Sequence, residues 1–283
     1  MFSIRIFWQN AHVIHEIITG MAAGGLAVAS LQGSRQMFRK SIVAMVFLGA
    51  TLIKMPYASA SGQEVVILLH GYGRTPLSMW SLKKSLERVG FKVHNLGYPS
   101  MRRTPAELTT ILDQELDACC RNAPRIHFVT HSLGGILTRA YLTEHHPSNM
   151  GRVVMLAPPN RGSELADTAN GFSLLRRILG PTVIQLGTGT ESLPNRLPPP
   201  WYEVGVIAGI DEFNPIGRFF VPEPSDGTVS VDSTCLDGMS DFVTVRKSHT
   251  FIMHSGDVAD YVIRFLRTGR FQEAEPFRVP SGQ

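Results

Sequence analysis

Cysteine is scarce in this chain. Cys119, Cys120 and Cys235 form an odd set that shows no metal-ligand spacing, and so few cysteines exclude a disulfide-built scaffold. In an exported protein one of the adjacent pair can join Cys235, but packing is the role expected of all three. Acidic residues are nearly missing from the first 60 positions, where Glu16 stands alone against Arg5, Arg35, Arg39, Lys40 and Lys54. Of the 27 basic and 23 acidic residues, residues 61–283 therefore keep 22 of each. The body is neutral, the sequence pI near 9.1 belongs to the N-terminal segment, and no basic face for nucleic acid is indicated. Internal repeats are missing, as is any sign of a second domain. With 43% hydrophobic and 18% charged residues in 283, the composition is that of a globular chain with one substantial core and excludes a disordered one.

What is present at the N-terminus reads as targeting. From Met37 the chain runs through Arg39 and Lys40, an apolar stretch from Ile42 to Ile53, the helix breaker Pro56 and the small-residue pattern Ala58-Ser59-Ala60. Positive start, short apolar core and A-x-A site are the three parts of a secretory signal peptide. The apolar stretch is too short to span a bilayer comfortably. Residues 37–60 are thus expected to be a signal peptide, with Ser61 starting the exported protein. Residues 1–36 are expected to be an upstream extension outside the fold, with translation starting at Met37. The alternative is an uncleaved segment that anchors the protein to the membrane or serves as a first core helix.

From residue 61 short apolar runs alternate with helix-like stretches. EVVILLHG (64–71), FKVHNLGYPS, RIHFVT (125–130), RVVMLAPP (152–159), YEVGVIAGI (202–210) and DFVTVRKSHT (241–250) read as strands. Between them lie LSMWSLKKSLERVG, TPAELTTILDQELDACC and LGGILTRAYLTEHH, with GDVADYVIRFLRTG as the last helix. Thr104 as N-cap, Pro105 at the first helical position and Glu107 closing a capping box mark one helix start. The rhythm predicts an α/β fold, a mostly parallel central sheet with helices on both faces. Residues 160–200 break it: a helical stretch, RGSELADTANGFSLLRRILG, precedes Gly/Pro-rich chain. This is a small cap insertion, a lid over an active site or a structural cap.

FVTHSLGGIL (128–137) places one hydroxyl between a strand and a helix, with two glycines behind it. A serine held on a sharp strand-to-helix turn needs small residues on either side so that strand and helix can approach. Gly134 meets that need, while Thr130 stands where glycine is commoner and crowds the turn. A serine is a poor nucleophile without a base, an orienting acid and donors for an oxyanion. Each is available at a strand end. HGYG (70–73) follows the first strand, so the backbone N–H groups of Tyr72 and of Leu133 are the candidate oxyanion donors. Asp226 in PSDGTVSV is the candidate acid with Asp211 as its rival, whereas Asp232 and Asp237 read as surface groups. His249 in VRKSHTFIMHS is the candidate base, and His254 reads as a helix-start residue. The order Ser132, Asp226, His249 is the order this architecture uses.

VVILLHGYGR, VTHSLGGI, APPNRGSELAD and SDGTVSVDST…KSHTFIM together resemble the α/β-hydrolase superfamily, particularly its bacterial lipase/esterase-like members, over about residues 64–268. The resemblance implies an α/β-hydrolase fold and carboxylic-ester hydrolysis through an acyl-serine intermediate, with Ser132, Asp226 and His249 as triad and Tyr72 and Leu133 as oxyanion donors. The substrate would be a small-molecule or lipid ester, with transient contact to a membrane surface allowed for, no nucleic acid and no cofactor. Some secreted lipases of this type hold calcium near the histidine loop; Asp237 and Asp241 are the residues available, though solvated turn carboxylates are the expected reading, and no metal is assigned. Pocket walls would come from the cap, with Phe172 and Leu175 as substrate-binding residues beside Leu174 and Ile178. The same triad would also serve acyl transfer, thioester or amide cleavage, and an exported fold used only for binding is the reading from another class.

Overall fold

The computed structural model describes residues 62–211 and 219–272; the signal-peptide and upstream-extension readings fall outside the described residues. Six strands form one sheet: β1 (Val65–Leu69), β2 (Lys92–Leu96), β3 (Ile126–His131), β4 (Met150–Leu156), β5 (Val204–Gly209) and β6 (Asp241–Val245). Their order is β2-β1-β3-β4-β5-β6 and every pairing is parallel. A parallel sheet is covered on both faces, so its central strands carry no polar alternation. β1 is VVILL and β5 is VGVIAG, each buried at every position.

The helices are α1 (Trp80–Arg88), α2 (Pro105–Cys120), α3 (Leu133–Glu144), α4 (Glu164–Asn170), α5 (Ser173–Leu179), α6 (Pro181–Ile184), α7 (Leu193–Arg196), α8 (Val231–Thr234) and α9 (Gly256–Thr268). Successive strand residues point to opposite faces, and β1 divides accordingly. Val66 and Leu68 join a cluster with Leu82 and Leu86 of α1 and Val258, Val262 and Phe265 of α9. Val65, Ile67 and Leu69 join another with Leu112 and Leu116 of α2 and Tyr141 and Leu142 of α3. Helices thus lie on both faces. The start of α2 follows from its sequence: Glu107 N–H donates to Thr104 Oγ1 while the Glu107 carboxylate accepts from Thr104 N–H, leaving two fewer orphan donors.

The cap packs on α3 through a smaller apolar cluster that includes Leu133, Ile136, Leu137, Ala166, Ala169, Val183 and Leu186. The stretch expected to be a single helical run is split into α4 and α5, because the chain turns extended at Phe172, φ −121° and ψ 116°, right after Gly171. The cysteines also depart from expectation. Cys119 and Cys120, at the end of α2, share a disulfide, and Cys235 is a free thiol.

Candidate active site

The turn after β3 carries Ser132 at φ 52°, ψ −122°. This is a region that side chains with a Cβ rarely occupy, and such backbone strain persists only where surrounding contacts fix it. Here Ser132 N–H donates to Leu156 O at 2.9 Å, and Ser132 O accepts from Gly135 N–H at 2.9 Å. The glycines behind it have separate tasks. A Cβ at Gly134 would lie 2.6 Å from Leu69 O and 3.0 Å from His70 O, so only glycine lets α3 start this close to the end of β1. A Cβ at Gly135 would meet Pro158 at 3.1 Å and Thr130 Oγ1 at 3.4 Å. The room for Thr130, fully buried on β3, therefore comes from Gly135.

His249 and Asp226 converge beyond the ends of β5 and β6. Asp226 is 1% exposed, and its Oδ2 lies 2.7 Å from His249 Nδ1. Its Oδ1 accepts from the N–H groups of Thr228 at 3.0 Å and Val229 at 2.8 Å. The backbones join as well, His249 N–H donating to Asp226 O at 3.0 Å. A Cβ at Gly209, the last residue of β5, would lie 2.7 Å from Asp226 Cβ and 2.3 Å from Lys247 O, so that glycine admits the loop. The rivals take no part in this pairing: Asp211 is exposed two residues past β5 and His254 is exposed in the short 3-10 turn Ile252–His254. Asp232 and Asp237 are exposed and pair with Arg161. Asp241 spends its oxygens on Phe242 N–H and Phe271 N–H. Asp237 and Asp241 are thus already partnered, and no three-ligand group among the described residues includes either.

His131 joins the serine turn to the histidine loop, a role the sequence reading did not assign. Its Nε2 donates to His249 O at 3.0 Å, and the two rings lie 4.7 Å apart. Complete burial and the neighbouring His249 hold its pKa well below the ordinary imidazole value, so the ring is neutral. No sequence signal separates this histidine from an ordinary buried one. The first-strand loop closes the other side. A Cβ at Gly71 would lie 2.7 Å from His131 Nδ1 and 3.1 Å from Ser132 Cβ. Gly73 N–H donates to the buried Ser100 Oγ at 3.0 Å, and Arg74 reaches Thr250 Oγ1 beside the histidine at 3.2 Å.

Ser132, Leu133 and Tyr72 line one cavity of about 190 Å³. Leu133 opens α3, so its N–H has no acceptor in its own helix. The cavity's other walls are mainly apolar and come from Leu165, Ala166, Leu179, Val183 and Leu186 of the cap, with Thr228 and Val229 from the aspartate loop. The Tyr72 hydroxyl donates to Leu179 O, tying cap and loop together. Phe172 and Leu175 are not in this wall. They sit on the outer side of the cap, 60% and 39% exposed, with Leu174 and Ile178, and α5 buries none of its residues. Periodicity marked these side chains as apolar without telling which way the helix turns; Leu179, the last residue of α5, lines the cavity with Leu165, Ala166, Val183 and Leu186.

The sequence model of the alpha/beta hydrolase family matches residues 66–272. A thermostable monoacylglycerol lipase of Bacillus sp. (strain H-257) is 30% identical over 126 residues, 42% of this chain and 48% of that protein; the chain spans about half the length of this curated relative. Among solved structures, the mature lipase BlEst2 of Bacillus licheniformis aligns with a TM-score of 0.57 at 21% identity, covering 73% of this chain and 92% of that one. The phospholipase PlaB of Legionella pneumophila aligns at 0.53 and 20% identity, covering 74% and 59%. At such identities these two likenesses are of fold.

Proposed function

The chain belongs to the alpha/beta hydrolase family, and on that footing we propose that it is a serine hydrolase cleaving carboxylic esters, lipase- or esterase-like, through an acyl-serine intermediate at Ser132. The observation that carries the reading is the 2.7 Å pairing of His249 Nδ1 with the buried Asp226, in a loop bound to the residue next to a strained serine. With Nδ1–H donating to Asp226, the lone pair of the neutral ring sits on Nε2, the nitrogen left to take the Ser132 proton. The freed alkoxide attacks the ester carbonyl. The N–H groups of Leu133 and Tyr72 stabilise the oxyanion, the imidazolium gives its proton to the departing alcohol, and water repeats the sequence to release the acid.

The wall of the cavity supports an ester with an apolar acyl chain. Its 190 Å³ is below the range of roughly 300–1,000 Å³ usual for drug-sized ligands, which favours short or medium chains. The outer side of α5, with exposed Phe172, Leu174 and Ile178 beside Arg176 and Arg177, supports transient contact with an anionic lipid surface. For the address we propose export, supported by the signal-like composition of residues 37–60. Among the described residues no helix is long and apolar enough to cross a membrane.

A fluorophosphonate probe will label the protein on Ser132, and Ser132→Ala will abolish labelling and ester hydrolysis while folding is kept; labelling that persists in that variant refutes the assignment. N-terminal sequencing of the exported protein is expected to read Ser61 first, and an intact Met37 would replace cleavage with an anchor.

A further inference from the structure

We propose that His94, Cys119 and Cys120 form a thiol-gated binding site for a soft, thiophilic cation of the zinc or copper(I) class, separate from the ester-cleaving site. His94 lies on the edge strand β2, and the two cysteines are the last residues of α2. The ligand atoms of the three side chains all lie within 4.8 Å of one another. Two thiolates and an imidazole are the donor set that such ions select, with a fourth position left to water in the zinc case.

His94 supplies the independent observation. Its Nε2 is shielded from solvent and has no hydrogen-bond partner among the described residues, an arrangement that a buried polar atom rarely keeps without a partner of some kind.

Access comes through Cys119, which lines a polar cavity of about 480 Å³ with Gly62, Lys92, Asp117, Arg121 and Asn122. Val65 and Lys92, the first residues of β1 and β2, border this cavity, whereas Ser132 follows the far end of β3. The two sites therefore occupy opposite ends of the sheet.

The gate is the disulfide. While Cys119 and Cys120 are joined, neither sulfur is a thiolate. A trialkylphosphine breaks the sulfur–sulfur bond: phosphorus is oxidised to the phosphine oxide, water supplies its oxygen and two protons, and two thiols result. The cation then displaces those two protons as it binds.

Titration of the full chain with Co²⁺, a coloured stand-in for zinc, tests this. After phosphine reduction, a thiolate-to-cobalt absorption band is expected to saturate at one ion per chain. The band should be missing from the unreduced protein and from Cys119→Ser/Cys120→Ser, unchanged in Cys235→Ser, and formed at least tenfold more weakly in His94→Ala. Hydrolysis of a soluble ester by the unreduced protein should be the same in wild type and His94→Ala. Absence of a saturating band in the reduced protein overturns the proposal. So does a band that survives the double serine change, follows Cys235, or ignores His94. Circular dichroism checks that the variants fold, and Cys119→Ser alone, at a half-buried position, replaces the double variant if that one does not.

Discussion

At the scale of single residues, the choice of acid turns on one carboxylate. Asp226 offers Oδ2 to the imidazole and fills Oδ1 with two backbone donors, so the side chain is held from both ends. Asp226→Asn is expected to keep the loop, since the amide oxygen still accepts from Thr228 and Val229. Its NH₂ would face Nδ1 and force the proton onto Nε2, the wrong tautomer for a base. Turnover of a p-nitrophenyl ester should fall on the order of 10⁴-fold with an unchanged far-ultraviolet spectrum. If Asp211→Asn causes that loss and Asp226→Asn does not, the acid is misassigned. Spacing brought Ser132, Asp226 and His249 into view because each borders a β-type run, Ser132 and His249 just after one and Asp226 in the turn before one. It left Asp211 as a rival, because Asp211 also follows a strand and only space separates the two. His131 stayed hidden for a different reason: its donor bond goes to a backbone carbonyl 118 positions away, and a carbonyl has no residue type to read.

At the scale of elements, the strand–turn–helix unit was legible because its glycines are required by contact. Gly134 meets backbone and Gly135 meets Thr130 and Pro158, so the crowding suggested by Thr130 is relieved from the helix side. The capping box of α2 was legible for a similar reason, being local chemistry within four residues. The cap was not. Its apolar residues serve two surfaces, Val183 and Leu186 facing the cavity and Phe172, Leu174 and Ile178 facing out. Short helices joined at Gly171 and Gly180 carry no periodicity long enough to separate those surfaces. The division has a measurable consequence. Val183→Trp fills the apolar cavity while keeping its position on the cap. Activity on p-nitrophenyl octanoate should fall about tenfold or more relative to p-nitrophenyl acetate, a loss in line with roughly 1–3 kcal/mol per misfitted methylene. Phe172→Ala and Leu175→Ala should leave that ratio unchanged. A ratio that moves with Phe172 and not with Val183 would put the acyl chain on the outer side of the cap.

For the whole molecule, the sheet buries three imidazoles that must stay uncharged. His70, His127 and His131 are buried and their pKa values are depressed, burial being the largest cause in each. Glu64 opposes the shift at His127, whereas His249 adds to it at His131. A depressed histidine binds its proton more readily unfolded than folded, so the unfolded chain gains protons first as acid is added. Stability from these groups is therefore complete above the ordinary imidazole value of 6.5 and is lost as pH falls from there toward the depressed folded values. Each histidine contributes a slope of at most about 1.4 kcal/mol per pH unit through that window. Urea unfolding between pH 7.5 and 5.0 should show stability level at first and declining below pH 6.5, before most carboxylates titrate. His131→Gln removes one of the three groups and should reduce the slope by about one proton, whatever it does to stability at pH 7.5. An unchanged slope in that variant would mean that His131 is protonated as easily in the folded protein as in the unfolded chain, and the neutral link between serine turn and histidine loop would have to be abandoned.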